Sequence, residues 1–162
     1  FDMLHVVPPQ VAPAFVADSR LAQAESGFVD IDPITLRHVR YPNVFGLGDA
    51  GSSPNAKTAA AVRKQAPIVA VNALAVLDGK QPVADYDGYG SCPLTVERGK
   101  IVLAEFGYGG KLLPSLPTWL IDGTRPRRLS WLLKSEALPW IYWNGMLKGH
   151  EWLARPQVKT AA

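Results

Sequence analysis

The apolar positions of this chain alternate, then gather in a dense run of small residues, then alternate again, with glycine and proline marking the changes. Residues 3–7 read as a strand that Pro8-Pro9 stop, since neither proline offers a donor to a ladder. Residues 13–24 read as irregular or weakly helical. Alternation returns at Phe28, Val29 and Ile31, turns at Asp32-Pro33, resumes at Leu36, and turns through Tyr41-Pro42-Asn43 into Val44-Phe45. These predict short hairpin strands feeding the run Gly46-Leu47-Gly48-Asp49.

Residues 57–77 are dense in alanine and valine, and such a density of small residues predicts a helix able to lie close against a sheet or a ligand. Pro67 falls inside it, so a kink or two abutting helices is expected, because proline removes one ladder bond and clashes with the preceding turn. Residues 94–97 and Lys100–Phe106 around Arg98-Gly99 predict a hairpin, and residues 107–117 a Gly/Pro-rich connector. Residues 128–138 and 140–153 predict two helices separated by Pro139, each too short and too charged to span a bilayer.

The stretch YPNVFGLGDAGSSPNAKTAAAV, residues 41–62, places a short strand, a glycine-flanked acid and a small-residue helix in that order. Such a strand, loop and helix form a phosphate or nucleotide site in which a carboxylate faces a ligand's hydroxyls. Residues 51–58 nearly spell a nucleoside-triphosphate loop, but Ala56 stands where its glycine belongs and Pro54 lacks one of the N–H groups that cradle phosphate. Taken alone, Gly46 and Gly48 are equally turn glycines and Asp49 equally a cap.

Charge refines this picture. Residues 1–110 carry 9 Lys and Arg against 11 Asp and Glu, while residues 111–162 carry 8 against 3. All five tryptophans, Trp119, Trp131, Trp140, Trp143 and Trp152, also fall in that basic last third. Basic residues interleaved with Leu and Trp suit an anionic membrane surface better than nucleic acid, which is read by a polar basic stripe. The single cysteine, Cys92, excludes a disulfide framework within the chain and a cysteine-based zinc cluster. His5, His38 and His150 lie far apart, so no metal site is expected. Phe1 in place of Met, with a strand-like opening, gives the expectation of a piece of a longer protein.

VFGLGDA followed by KTAAA resembles the second flavin-contacting segment of flavoproteins built from two dinucleotide-binding domains. FDMLHVVPP, YPNVFGLGD, KTAAAV, YDGYGSCPLT, IVLAEF and LPWIYWNGMLKG together resemble the C-terminal half of a sulfide:quinone oxidoreductase, over residues 1 to about 152. That resemblance implies an α/β fold, the C-terminal portion of a two-domain Rossmann-like flavoprotein with short strands, a flavin-facing helix and C-terminal amphipathic helices. Its implied divisions are the end of the second nucleotide-binding-like domain (1–40), the FAD-contacting strand, loop and helix (41–82), the redox-cysteine loop and hairpin (83–118) and the amphipathic tail (119–162). It implies FAD as cofactor, with Gly48 and Asp49 at the ribityl chain and Lys57, Thr58, Ala59 and Ala60 at the helix start that points its dipole at the flavin ring. The glycine-rich loop for the ADP half is missing, and Gly46-Leu47-Gly48 does not replace it because no helix begins at Gly51.

Cys92, by default a small buried apolar residue, becomes under the resemblance one of a redox pair on a tight glycine-rich loop. Sulfide and quinone are the implied substrates, and the implied location is peripheral, with the tail on a membrane. Apolar surface that the missing half would cover leads one to expect association, including a homo-oligomer. Any one of Trp131, Leu132, Leu133, Trp140, Ile141, Trp143, Met146 and Leu147 reads better as ordinary core; as a set among basic residues they read as membrane-facing helices. The rivals are a type II NADH:quinone oxidoreductase, which needs no such thiol, the flavin subunit of a haem-coupled sulfide dehydrogenase, and a folded piece without catalytic function.

Overall fold

The computed structural model describes residues 1–150, 152 and 154–159. Its elements are a one-turn helix α1 (Ala14–Ala17), a long helix α2 (Ala59–Leu77), a hairpin of β1 (Gly90–Glu97) and β2 (Lys100–Phe106), and a helical tail. The mixed helix and strand content fits the expected α/β class. The tail runs without interruption through α3 (Arg128–Leu132), a wide turn Leu133–Ala137 and α4 (Leu138–Asn144).

Helix α2 is the spine. Ala61, Gln65, Pro67, Ile68, Asn72 and Ala75 are buried along it. Ile68 joins Val29, Ile31, Leu36, Ala84, Tyr86 and Tyr89 in the core, so the helix packs on the segments before and after it in sequence. Pro67 does not divide it: Ala59–Leu77 is one helix. Proline forfeits a single ladder bond, and the packing of the buried stripe on both sides of Pro67 outweighs that loss.

Residues 20–52 fold by isolated pairings in place of full strands. Ala22 pairs with Val29, Ile31 with His38 and Arg37 with Phe45, while Val29 also pairs in parallel with Gly51. These pairings put Ile31 against the motif glycines: a β-carbon at Gly51 would stand 2.7 Å from Ile31 Cδ1, and one at Gly46 3.0 Å from Ile31 Cγ2. Leu36 adopts φ 61°, unusual for a branched residue, and its side chain is fully buried. The turn before it holds that conformation, since Asp32 Oδ1 accepts from Thr35 N at 2.7 Å and from Thr35 Oγ1 at 2.7 Å. Partial burial of Asp32 opposes its ionisation, but the Thr35 and Ile34 hydrogen bonds prevail and keep the carboxyl below its ordinary range.

Three expected elements come out differently. Residues 3–7 pair with no described residue and their apolar side chains are exposed, since an extended segment becomes a strand only beside a partner ladder. The first hairpin strand begins at Gly90, not Leu94, because Cys92 and Pro93 align with Ala104 and Leu103 across the register. Pro93 is tolerated because a two-stranded hairpin has only edge strands. Pro139 does not separate two helices; the wide turn ahead of it has i→i+5 spacing and carries the backbone past the missing donor. Helical structure stops at Asn144 with a further turn at Met146–Lys148, and Leu153, the expected helix end, lies outside the described residues.

One side chain ties these parts together. Asn72, fully buried in α2, donates to Thr35 O at 3.0 Å and Ala84 O at 2.9 Å, and accepts from Val83 N and Ala84 N at 2.8 Å each. Asn72→Leu leaves all four backbone groups without this partner. At about 1–3 kcal/mol for each of the four buried groups left unsatisfied, the variant is expected to lose at least ~4 kcal/mol. The urea midpoint measures this, and an unchanged midpoint refutes the clamp.

Candidate functional site

The site is assembled around the first turn of α2. Gly48–Ala50 forms one tight turn, with Gly48 at φ 59° and buried. A β-carbon there would fall 2.8 Å from Val62 Cγ2, so glycine is required for both conformation and proximity. The Gly48 N–H donates to Oε1 of Gln65 at 2.7 Å, which fixes the turn to the helix. Asp49 is exposed beyond it.

Thr58 is the N-cap, its Oγ1 accepting from Ala61 N at 3.2 Å. The Ala59 and Ala60 N–H groups bond to no acceptor among the described residues. Lys57 donates to Gly51 O and sits over the Phe28 ring, 4.1 Å from its centroid. Burial holds the Lys57 ammonium below its ordinary pKa, and the nearby Asp49 carboxylate partly offsets this. The structure thus gathers Gly48, Asp49, Lys57, Thr58, Ala59 and Ala60 at one helix end.

Cys92 is placed otherwise than expected: it is not on a loop but in β1, half-buried and opposite Ala104. Side chains alternate across a strand, so Ser91, Leu103 and Glu105 share one face of the hairpin while Cys92, Ala104 and Phe106 share the other. Gly90 lies on the Cys92 face, where a β-carbon would come within 3.7 Å of Asn55 Nδ2. Asn55 itself donates to Gly88 O, and Ser53 Oγ lies 3.1 Å from Tyr108 OH, so the loop ahead of α2 is fastened to the segment that leads into β1.

The other face of the hairpin borders an apolar cleft of about 430 Å³. Ala59 and Ala60 of α2, Ser91, Leu103 and Glu105 of the hairpin, and Leu138, Ile141 and Met146 of the tail line it. At its floor Tyr89 OH donates to Glu105 Oε1 at 2.6 Å, while Ser115 donates from N to Glu105 Oε2 at 3.2 Å and from Oγ to Tyr89 OH at 3.1 Å. Burial, and then the hydrogen bond to Glu105, pushes the Tyr89 phenol up to about 12. Lys134 donates to Pro93 O and Thr95 Oγ1, both at 3.0 Å, binding the tail to the cysteine strand. A polar depression of about 550 Å³ lies between Asp85 and residues 154–159, and none of the residues expected at the site lines it.

Over about 150 residues the chain is 41% identical to a mitochondrial sulfide:quinone oxidoreductase of Mus musculus, covering 93% of this chain and 32% of that protein. The enzymes of the same name from Dictyostelium discoideum and Schizosaccharomyces pombe are 45% and 40% identical, over 92% and 94% of this chain and 32% and 33% of theirs. The chain is similar to sulfide:quinone oxidoreductases over nearly all of its own length. It corresponds to the C-terminal part of these proteins and spans about a third of their length. No family model matches it. A chain in the cryo-EM structure of the Tetrahymena thermophila mitochondrial ATP synthase shares the fold of this chain, with a TM-score of 0.62 and 28% identity over 90% of this chain and 33% of that one.

Flavin is the cofactor the resemblance implies, and the donor set fits half of it. An exposed carboxylate, two N–H groups without acceptors at the positive end of a helix, and a first turn of alanines suit ribityl hydroxyls and a flat ring. Gly51 is followed by extended backbone and not by a helix, so a pyrophosphate cradle is not formed there. Gln65, Asn55, Tyr89, Glu105 and Ser115 were not foreseen from sequence. Gln65 left a signal: it sits seven residues before Asn72 on the buried stripe of an apolar helix, and a polar residue there needs a partner. Gln65→Leu is expected to release the Gly48 N–H. Hydrogen exchange at residues 47–50 should then accelerate about tenfold for every 1.4 kcal/mol lost, and unchanged protection refutes this fastening.

Proposed function

We propose that this chain is the flavin-proximal, quinone-side part of a two-dinucleotide-domain flavoprotein that oxidises sulfide and reduces quinone at a membrane surface. The observation that carries the proposal is the hairpin register. Cys92 stands on one face and the apolar cleft, which Ala59 and Ala60 of α2 also line, on the other, so a sulfide donor and a quinone acceptor would approach from opposite faces of the hairpin. The division into residues 1–40, 41–82, 83–118 and 119–162 belongs to the same reading.

Bound FAD would accept two electrons on the cysteine side and release two on the cleft side. Asp49 would hold the ribityl chain by accepting its hydroxyl hydrogen bonds, and Thr58, by keeping the first turn of α2 formed, would leave the Ala59 and Ala60 N–H groups available to the flavin. Lys57 and Gly48 hold the loop and turn in place. Hydrosulfide attacks a sulfur–sulfur bond between Cys92 and a cysteine outside this chain; that bond breaks, a persulfide forms on one sulfur, and the other leaves as a thiolate carrying the electron pair. The cleft excludes water and takes the quinone head. The exposed Trp140, Trp143 and Trp152, with Lys148 beside them in the tail, suit the headgroup region of an anionic bilayer.

A second reading, an assembly component without redox function, is favoured by the likeness to a chain in the Tetrahymena ATP synthase structure. Flavin content of the full-length protein separates the two. Asp49→Ala in that protein is expected to weaken flavin retention by about 10- to 100-fold, since each charge-assisted hydrogen bond contributes roughly 1.5–3 kcal/mol. Flavin stoichiometry after gel filtration checks this, and full retention removes Asp49 from the site.

Cys92→Ser in the full-length protein should abolish bleaching of the flavin absorbance by sulfide while flavin stays bound. Serine preserves the size of the side chain but forms no sulfur–sulfur bond. Bleaching at the wild-type rate would assign Cys92 to packing alone.

A further inference from the structure

The polar atoms at the floor of the cleft have no part in the chemistry described so far. Glu105 is buried in a predominantly apolar wall, which is costly for a carboxylate unless it is fully hydrogen-bonded. Its partners come from separate segments: Tyr89 ahead of β1, at 2.6 Å, and Ser115 beyond β2, at 3.2 Å. No lysine or arginine forms an ion pair with it among the described residues. The charged groups around the pair are Arg63 and Lys64 of α2 on the cleft wall, Lys64 lying 4.3 Å from the Tyr89 ring centroid, and Asp87, which stands 3.9 Å from Lys64 and accepts the Tyr89 N–H. Tyr86 OH donates to the Tyr89 carbonyl from below.

Reduction of a quinone consumes two electrons and two protons. On the reading above, which this inference rests on, a reduced flavin would supply both electrons and one proton. The second proton must enter a cleft with few polar groups. We propose that Glu105 carries that proton and that Tyr89 delivers it to the quinone oxygen.

An apolar ring filling the cleft strips water from the Glu105 carboxylate, and a carboxylate deprived of water takes up a proton from solvent. Protonated Glu105 donates along the 2.6 Å line to the Tyr89 oxygen while Tyr89 gives its own proton to the reduced quinone. One O–H bond forms on the quinone, the Tyr89 O–H is remade, and Glu105 returns to the carboxylate that accepts from Tyr89. The products are a neutral hydroquinone and the arrangement seen here. Tyr89 suits the relay because a tyrosine and a hydroquinone are both phenols, so the transfer between them is nearly balanced. Its high pKa, set first by burial, keeps tyrosinate from accumulating.

The test uses the full-length flavin-loaded protein, a short-tailed benzoquinone as probe, and a pH-indicator dye in weakly buffered solution. Tryptophan fluorescence reports binding independently of proton uptake. The wild type is expected to take up about one proton per quinone bound before any sulfide is present. Glu105→Gln should bind the quinone and take up none, and its sulfide-reduced flavin should be reoxidised by quinone roughly tenfold or more slowly. Tyr89→Phe keeps the ring and its packing; it should take up the proton yet show the same slow reoxidation. Binding without proton uptake by the wild type, or uptake retained in Glu105→Gln, overturns the proposal and leaves the quinone reading standing. Wild-type reoxidation in Tyr89→Phe overturns the delivery step. Absence of quinone binding to the wild type overturns both readings. If Glu105→Gln does not fold, wild-type uptake and Tyr89→Phe still decide.

Discussion

The Asn72 amide is the constraint on which the arrangement depends. Its four bonds fix both the turn carrying Thr35 and the backbone of residues 83–84 to α2. The first places the Val29 and Ile31 pairings that present the motif glycines; the second sets where the chain departs toward Tyr86, Tyr89 and β1. A carboxamide suits this position because it has donors and acceptors at one end, so one residue satisfies backbone from two directions without burying charge. Gln65, two turns earlier on the same stripe, does the equivalent for Gly48. The apolar stripe of α2 supplies cohesion, and its two amides supply register.

That register gives the hairpin two chemical faces. Ser91 and Cys92 are neighbours in sequence yet face opposite ways, one toward the cleft and the other toward the Asn55 loop. A one-residue slip would exchange thiol and hydroxyl. Several contacts resist such a slip: Tyr89 and Ser115 hold Glu105, and Lys134 holds Pro93 and Thr95. The thiol's position is thus set by polar contacts made largely on the opposite side of the sheet.

Much of this was legible in the sequence, for identifiable reasons. Residues 57–77 are dense in helix-forming alanine and largely apolar, so α2 and the cluster at its start were readable; the Thr58 cap emerges only in the structure. Lys100–Phe106 alternates cleanly, and its partner strand was found but cut short, because Pro93 reads as a breaker when one cannot see that the strand is an edge. The segment of residues 3–7 looks like a strand because sequence records β-propensity and not the presence of a neighbour to pair with. Pro139 misled in the other direction, since a wide helical turn has no sequence signature. Tyr89, Glu105 and Ser115 were illegible as a group: they lie 16 and 10 residues apart in sequence, and only the hairpin and the connector after it bring them together.

The helical tail has one further consequence. Leu138, Ile141 and Tyr142 turn toward the cleft, while Trp140, Trp143 and Leu147 of the same run remain uncovered by the rest of the chain. A single helix, about 10 Å across with its side chains, is therefore both the inner wall of the cavity and the outer surface of the molecule. If the tail lies on a membrane as proposed, entry of a solute partitioned in lipid would be a short sideways passage past one cylinder, apolar on both sides, with no aqueous layer to traverse. The barrier to exchange would then be set by how readily these few helical turns part from the hairpin, and not by the cost of leaving the oil phase.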